Sequence, residues 1–189
     1  MSTGPTPSQT IGPFFHYALV DSNLSELVSA DHPDAVRIGG TVFDGASEPV
    51  PDAMVEIWQA NHAGRYNDPK DDRNDLPPDP EAFSGFGRSG TDSGGKFSFV
   101  TVKPGPVPGP DGSPQAPHVM VSVFARGLLK RLITRIYFPD EKEANAADPV
   151  LSSIEDPEFR STLVALDEED TLRFDIHLQG ENQTAFFEL

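Results

Sequence analysis

Apolar positions along this chain recur mainly at a spacing of two. The clearest case is Leu172-Arg173-Phe174-Asp175-Ile176-His177-Leu178, which alternates without exception and predicts one half-buried strand. Val36 to Phe43 is apolar with small residues between and stops at the tight-turn dipeptide Asp44-Gly45. Met54-Val55-Glu56-Ile57-Trp58 follows a loop marked by Pro49 and Pro51, and Asp92-Ser93-Gly94-Gly95 turns the chain into Phe97–Val102. Further strands are predicted over His118–Phe124 and Leu132–Phe138, linked near Gly127, with a closing edge strand at Ala185-Phe186-Phe187. One helix is predicted, from about Glu141 to Ile154, with Pro149 kinking or splitting it.

Strands without βαβ alternation or internal repeat give an all-β fold class: an antiparallel β-sandwich with long ordered loops, an N-terminal arm and one short helix. Residues 1–34 lack a steady period and read as the arm, which packs on this domain or on a neighbouring chain, and residues 35–189 read as a single sandwich domain. Two loops are unusual: Asn67–Gly90 is crowded with Asp, Pro and Asn, and Lys103–Pro117 carries six prolines. Structureless loops of such length tend to be functional or to lie at an interface.

Composition narrows the function classes. The chain has 189 residues, 19 Pro and 16 Gly, no cysteine and a net charge of -16. Without cysteine there is no disulfide, thiolate metal site, iron–sulfur cluster or thiol nucleophile. The acidic surface opposes nucleic acid and anionic membranes, and it opposes anionic substrates unless a basic residue receives them locally. No apolar run approaches a membrane span, and no basic segment followed by an apolar stretch opens the chain, so a cytoplasmic protein without a secretion signal is expected. No Gly-x-Ser-x-Gly elbow and no P-loop occur, which argues against serine hydrolase and nucleotide chemistry.

The informative stretch is Ile57-Trp58-Gln59-Ala60-Asn61-His62-Ala63-Gly64-Arg65-Tyr66. Singly, a strand Trp and a loop Tyr are packing residues. They are followed in order by Gly85-Phe86-Gly87-Arg88, Thr91-Asp92, Val102-Lys103-Pro104-Gly105-Pro106, Ala116-Pro117-His118, Ile136-Tyr137-Phe138-Pro139 and Gln179-Gly180-Glu181-Asn182. From Thr6 to Leu189 this series resembles the intradiol ring-cleavage dioxygenases.

The resemblance implies a non-haem ferric centre with two Tyr and two His ligands. Phenolates are hard, strongly donating ligands suited to that oxidation state. In this sequence the four positions fall on Tyr66, Val107, His118 and Met120. Valine cannot coordinate, and a thioether suits a hard ferric ion poorly, so the site is expected to be vestigial, with no metal ligand and no catalytic residue in this chain. Gln115 stands where active chains often carry Arg.

The resemblance also implies an iron-free alpha chain working with a homologous beta subunit that binds Fe(III). The pair would cleave protocatechuate with O2 to 3-carboxy-cis,cis-muconate, in the beta-ketoadipate pathway. Thr10, Gly12 and Pro13 of the arm would then shape the mouth of the beta chain's pocket, and Arg126 would attract the substrate carboxylate. Arg135 is a second candidate for that attraction, a structural pairing being its other reading. A non-catalytic, small-ligand-binding β-sandwich module and a stand-alone enzyme using another metal are the competing classes.

Overall fold

The computed structural model describes residues 10, 12, 14–20, 24–71, 73, 83–109 and 111–188. Two sheets face each other across a core that includes Ile38, Val42, Val55, Ile57, Phe97, Phe99, Val119, Val121, Ile136, Phe174 and Ile176. One sheet is built on β1 (Ala35–Phe43), with β4 (Lys96–Val102) antiparallel on one side. On the other side β1 meets β10 (Thr171–Arg173) and β11 (Ile176–His177), and β9 (Leu166–Glu168) pairs with β10. The second sheet runs β3 (Phe86–Gly90), β2 (Met54–Trp58), β7 (His118–Phe124), β8 (Leu132–Tyr137), all antiparallel. A two-residue hairpin, β5 (Val107–Pro108) with β6 (Pro114–Gln115), lies inside the proline-rich loop.

The all-β sandwich expectation holds, with several corrections. The sheets are not purely antiparallel, because β10 and β11 both run parallel to β1. The alternating stretch Leu172–Leu178 forms two strands rather than one. Thr41 N donates at 3.0 Å to the Asp175 carboxylate between them, so a side chain replaces one rung of the ladder. Register survives the break: Ile38 sits opposite Leu172 and Val42 opposite Ile176. Gly40 is required here, since a Cβ would lie 1.9 Å from Phe174 O. Ala185–Phe187 contributes a single bridge, Ile133 to Phe187, rather than a closing strand.

Helical structure is also more divided than one short helix. Among the described residues there are α1 (Phe14–Leu19), α2 (Lys142–Ala147), α3 (Pro149–Ser152) and α4 (Pro157–Ser161). The split at Pro149 has a cause beyond the ring: Asp148 caps α3, its carboxylate accepting from Val150 N and Leu151 N. Asp156 caps α4 in the same way, again followed by Pro. These helices cover a second apolar cluster of Ala116, Tyr137, Leu151, Leu163 and Ala185.

β3 lies in what reads as loop, because Gly85-Phe86-Gly87-Arg88 is poor in strand formers. Tertiary packing makes it a strand. A Cβ on Gly87 would fall 2.6 Å from Leu27 Cδ1 and 2.9 Å from Ile57 Cγ1, so glycine lets both apolar side chains close in. Leu27 belongs to a strap that bridges the edges of the two sheets. Arg88 N on β3 donates to Leu24 O, Val100 N on β4 donates to Ser25 O, and Leu27 N donates to Val100 O. The described end of the arm therefore packs on this domain.

Candidate functional site

The loop after Trp58 is fixed by its own polar groups. Buried Gln59 donates from Nε2 to Val102 O at 2.8 Å and accepts from Thr101 Oγ1 at 2.8 Å, tying the end of β2 to β4. Asn61 Oδ1 accepts from Ala63 N and Arg65 N, and its carbonyl accepts from Gly64 N and Gly105 N. Gly64 has φ +78, and a Cβ there would meet Pro106 O at 2.2 Å, so the two loops touch backbone to backbone. That contact carries the proline-rich loop, and with it Val107, up to the Trp58–Tyr66 segment. Tyr66 stacks on Trp58 with ring centres 6.0 Å apart.

The four resemblance-derived positions do come together, around a residue that is not a metal ligand. Met120 sits opposite Trp58 on one side and opposite Arg135 on the other. Val107 pairs with Gln115, and Gln115 Oε1 accepts from Arg135 Nη1 at 2.6 Å. Arg135 Nη1 also donates to the Tyr137 hydroxyl at 3.2 Å, and its guanidinium lies 5.9 Å from the centre of the Phe187 ring. The Tyr137 hydroxyl donates onward to Asp148 Oδ1 at 3.2 Å. Asp148 is fully buried and also accepts from Ala116 N at 2.8 Å, immediately before the His118 strand.

His118 is buried with its ring centre 5.6 Å from that of Tyr137. Its Nδ1 lies 2.8 Å from Ala116 O. A carbonyl only accepts, so Nδ1 carries the proton. Burial, aided by the Arg135 charge, pushes the imidazole down to about 4, so the ring is neutral near pH 7. Burial raises the Tyr66 phenol above its ordinary value despite the opposing pull of Arg135, and burial likewise raises Tyr137. The result is a set of neutral, protonated groups gathered about one cation.

As a home for ferric iron this cluster does not fit. Val107 offers no donor atom, Met120 offers only sulfur, and a guanidinium already supplies positive charge. Among the described residues no group of three or more His, Asp or Glu could hold a metal elsewhere.

At the other end of the same sheet lie the residues expected at a neighbour's site. Gly127 N donates to Thr10 Oγ1 at 2.9 Å, so the arm reaches the turn that carries Arg126. Arg126 is 61% exposed and pairs through Nε with Asp52 Oδ2. Gly12 is exposed, and Pro13 lies outside the described residues. Thr10 thus meets the β7–β8 turn that carries Arg126, whereas Arg135 lies farther along the same hairpin, opposite Met120.

The family model described as Dioxygenase matches residues 11–180. The chain belongs to the intradiol dioxygenase family. The protocatechuate 3,4-dioxygenase alpha chain of Pseudomonas putida is 41% identical to it, over 97% of this chain and 96% of that one. The protocatechuate 3,4-dioxygenase beta chain of Burkholderia cepacia is 36% identical over 82% of this chain and 62% of its own length. Among solved structures, the dioxygenase domain of a carbohydrate-binding fusion protein from Streptomyces sp. SirexAA-E superposes with a TM-score of 0.56 at 25% identity, covering 94% of this chain and 99% of that one.

Within that family fold, the resemblance singled out Tyr66, Val107, His118 and Met120, but not the hydrogen-bond network of Arg135, Gln115, Tyr137 and Asp148 among them. The Asp148-Pro149 pair, a helix N-cap followed by Pro at the first helical position, was the available signal for Asp148. Nothing local marks Gln115 as the partner of Arg135, because twenty residues and a strand separate them.

Proposed function

We propose that this chain is the iron-free alpha chain of a protocatechuate 3,4-dioxygenase, working in complex with a beta chain that holds Fe(III). The observation that carries this is the guanidinium-centred cluster. A chain similar to an alpha chain from end to end has its would-be ligand positions closed around Arg135, so the oxidative chemistry belongs to another chain. The iron of that partner supplies the redox chemistry, and the complex opens protocatechuate between its hydroxyls with both atoms of O2 entering 3-carboxy-cis,cis-muconate.

The part played by this chain is binding at the shared surface. Protocatechuate is an anion approaching a protein of charge -16, so a local cation must oppose the overall field. Arg126 suits this role because its exposed ion pair with Asp52 is a weak one, which the substrate carboxylate can displace or share. Gly127 N donates to Thr10 Oγ1 and so ties Thr10 to the Arg126–Gly127 turn, and the family resemblance assigns Thr10, Gly12 and Pro13 to the mouth of the partner's pocket. Residues 1–34 then form an arm that serves both this domain and the partner. No helix among the described residues is long and apolar enough to cross a membrane. A chain without cysteines suits the cytoplasm.

Co-expression with a beta-type chain tests the reading. A stable complex with protocatechuate-dependent O2 uptake is expected, and stoichiometric iron with activity in this chain purified alone would sink it. In the complex, Arg126→Ala is expected to raise KM about tenfold or more, the scale of one charge-assisted hydrogen bond, with kcat little changed. An unchanged KM removes Arg126 from the site.

A further inference from the structure

The chain carries 30 acidic residues, and most of its paired arginines reach one: Arg73, Arg88, Arg126 and Arg173 all form ion pairs with Asp or Glu. Arg135 differs. Its hydrogen-bond partners among the described residues are a Gln side-chain oxygen and a Tyr hydroxyl, both neutral and both met by Nη1. Nε and Nη2 donate to nothing among the described residues. The acid nearest in the hydrogen-bond chain, Asp148, is reached only through the Tyr137 hydroxyl and is committed to Ala116 N, Val150 N and Leu151 N.

Nε and Nη2 are the two donors that form one side of the guanidinium fork, the geometry that matches a carboxylate bidentately. The surroundings favour an aromatic body on that carboxylate. Trp58, Tyr66, Met120 and Arg135 are each half-buried, and Trp58, Met120 and Arg135 lie in one cross-strand row on the outer face of the second sheet. Tyr66 stacks on Trp58, and Phe187 lies against the guanidinium. His118, the remaining titratable ring, adds no competing negative charge. A half-buried cation held in place by neutral groups, with a fork that meets no acceptor among the described residues and with aromatic neighbours, suits an anion.

We propose that the Arg135 cluster binds an aromatic carboxylate at a site separate from the Arg126 surface, through a bidentate contact from Nε and Nη2. Binding there needs no metal and leads to no chemistry. The proposal stands on this chain's own residues and does not depend on the beta-chain assignment.

The test is titration of the full-length chain with 4-fluorobenzoate, read by fluorine NMR line broadening and by emission of Trp58, the chain's only tryptophan. Saturable binding with a change in Trp58 emission is expected, with fluorobenzene binding far more weakly. Arg135→Gln is expected to weaken binding at least about tenfold, Arg135→Lys by less, and Arg173→Ala, on β10 of the other sheet, not at all. Circular dichroism of each variant separates loss of the site from loss of fold, and Arg135→Lys gives the reading if Arg135→Gln does not fold. Absence of saturable binding by the wild-type chain, or equal affinity in folded Arg135→Gln, would overturn the proposal.

Discussion

Asp148 offers the sharpest test of how the Arg135 cluster is held. Asp148→Ala removes one fully buried carboxylate that accepts four hydrogen bonds: 2.9 Å each from Val150 N and Leu151 N, 2.8 Å from Ala116 N and 3.2 Å from the Tyr137 hydroxyl. Losing the N-cap of α3 costs about 1 kcal/mol. Ala116 is 3% exposed, so its N–H is left without a partner in a dry site, which costs about 1–3 kcal/mol. The Tyr137 hydroxyl keeps Arg135 as a donor but loses its acceptor, about 1 kcal/mol more. The total of about 3–5 kcal/mol is a large part of the stability of an ordinary domain. Urea unfolding measures it directly. With a slope of about 1–3 kcal/mol per molar, the midpoint should fall by about 1–5 M with little change in slope. Asp148→Asn, which keeps one oxygen for the α3 cap but turns an amide toward Ala116 N or Tyr137, should lose about half as much. A loss below about 1 kcal/mol for Asp148→Ala would show that water or backbone movement replaces the carboxylate, and would refute the view that this residue organises the cluster.

Two further predictions concern the same cluster. His118 titrates at about 4 when folded against an ordinary value of 6.5, so between these values the unfolded chain binds the extra proton and stability falls as pH falls. The gap corresponds to about 3 kcal/mol, lost progressively from about pH 6.5 down to about pH 4. His118→Gln should flatten the urea-stability profile across that window, and equal slopes in the two proteins would contradict the assignment. Restoring ligands by the pair Val107→Tyr and Met120→His should give no stoichiometric iron uptake while the Arg135 charge remains, whereas adding Arg135→Gln should permit it. Iron bound tightly by the double variant, measured by metal analysis and by the visible absorbance of an iron-phenolate, would show that ligand loss alone keeps metal out.

Much of this molecule is written locally. Strands β2 and β7 fall on the bounds that their apolar runs predict, and β1, β4 and β8 fall within a residue of theirs, because burial on one face of a pleated strand leaves its mark every second position. The turns at Asp44 and Asp92 are equally legible, each Asp accepting from backbone N–H groups two and four residues on. The grouping of Tyr66, Val107, His118 and Met120 came from the family resemblance and from no local pattern. What the sequence could not hold is any relation made at long range. β3 is a strand because Leu27 and Ile57 close over Gly87. The Leu172–Leu178 alternation breaks because Asp175 reaches Thr41 N. Arg135 stands as the charge at the centre of the cluster because Gln115 reaches it from the proline-rich loop and Tyr137, on its own strand, links it to Asp148 at the start of α3. Periodicity records which face of an element is buried. It carries no record of which distant polar groups will meet there, since those partners are chosen only when the two sheets and their loops close around them.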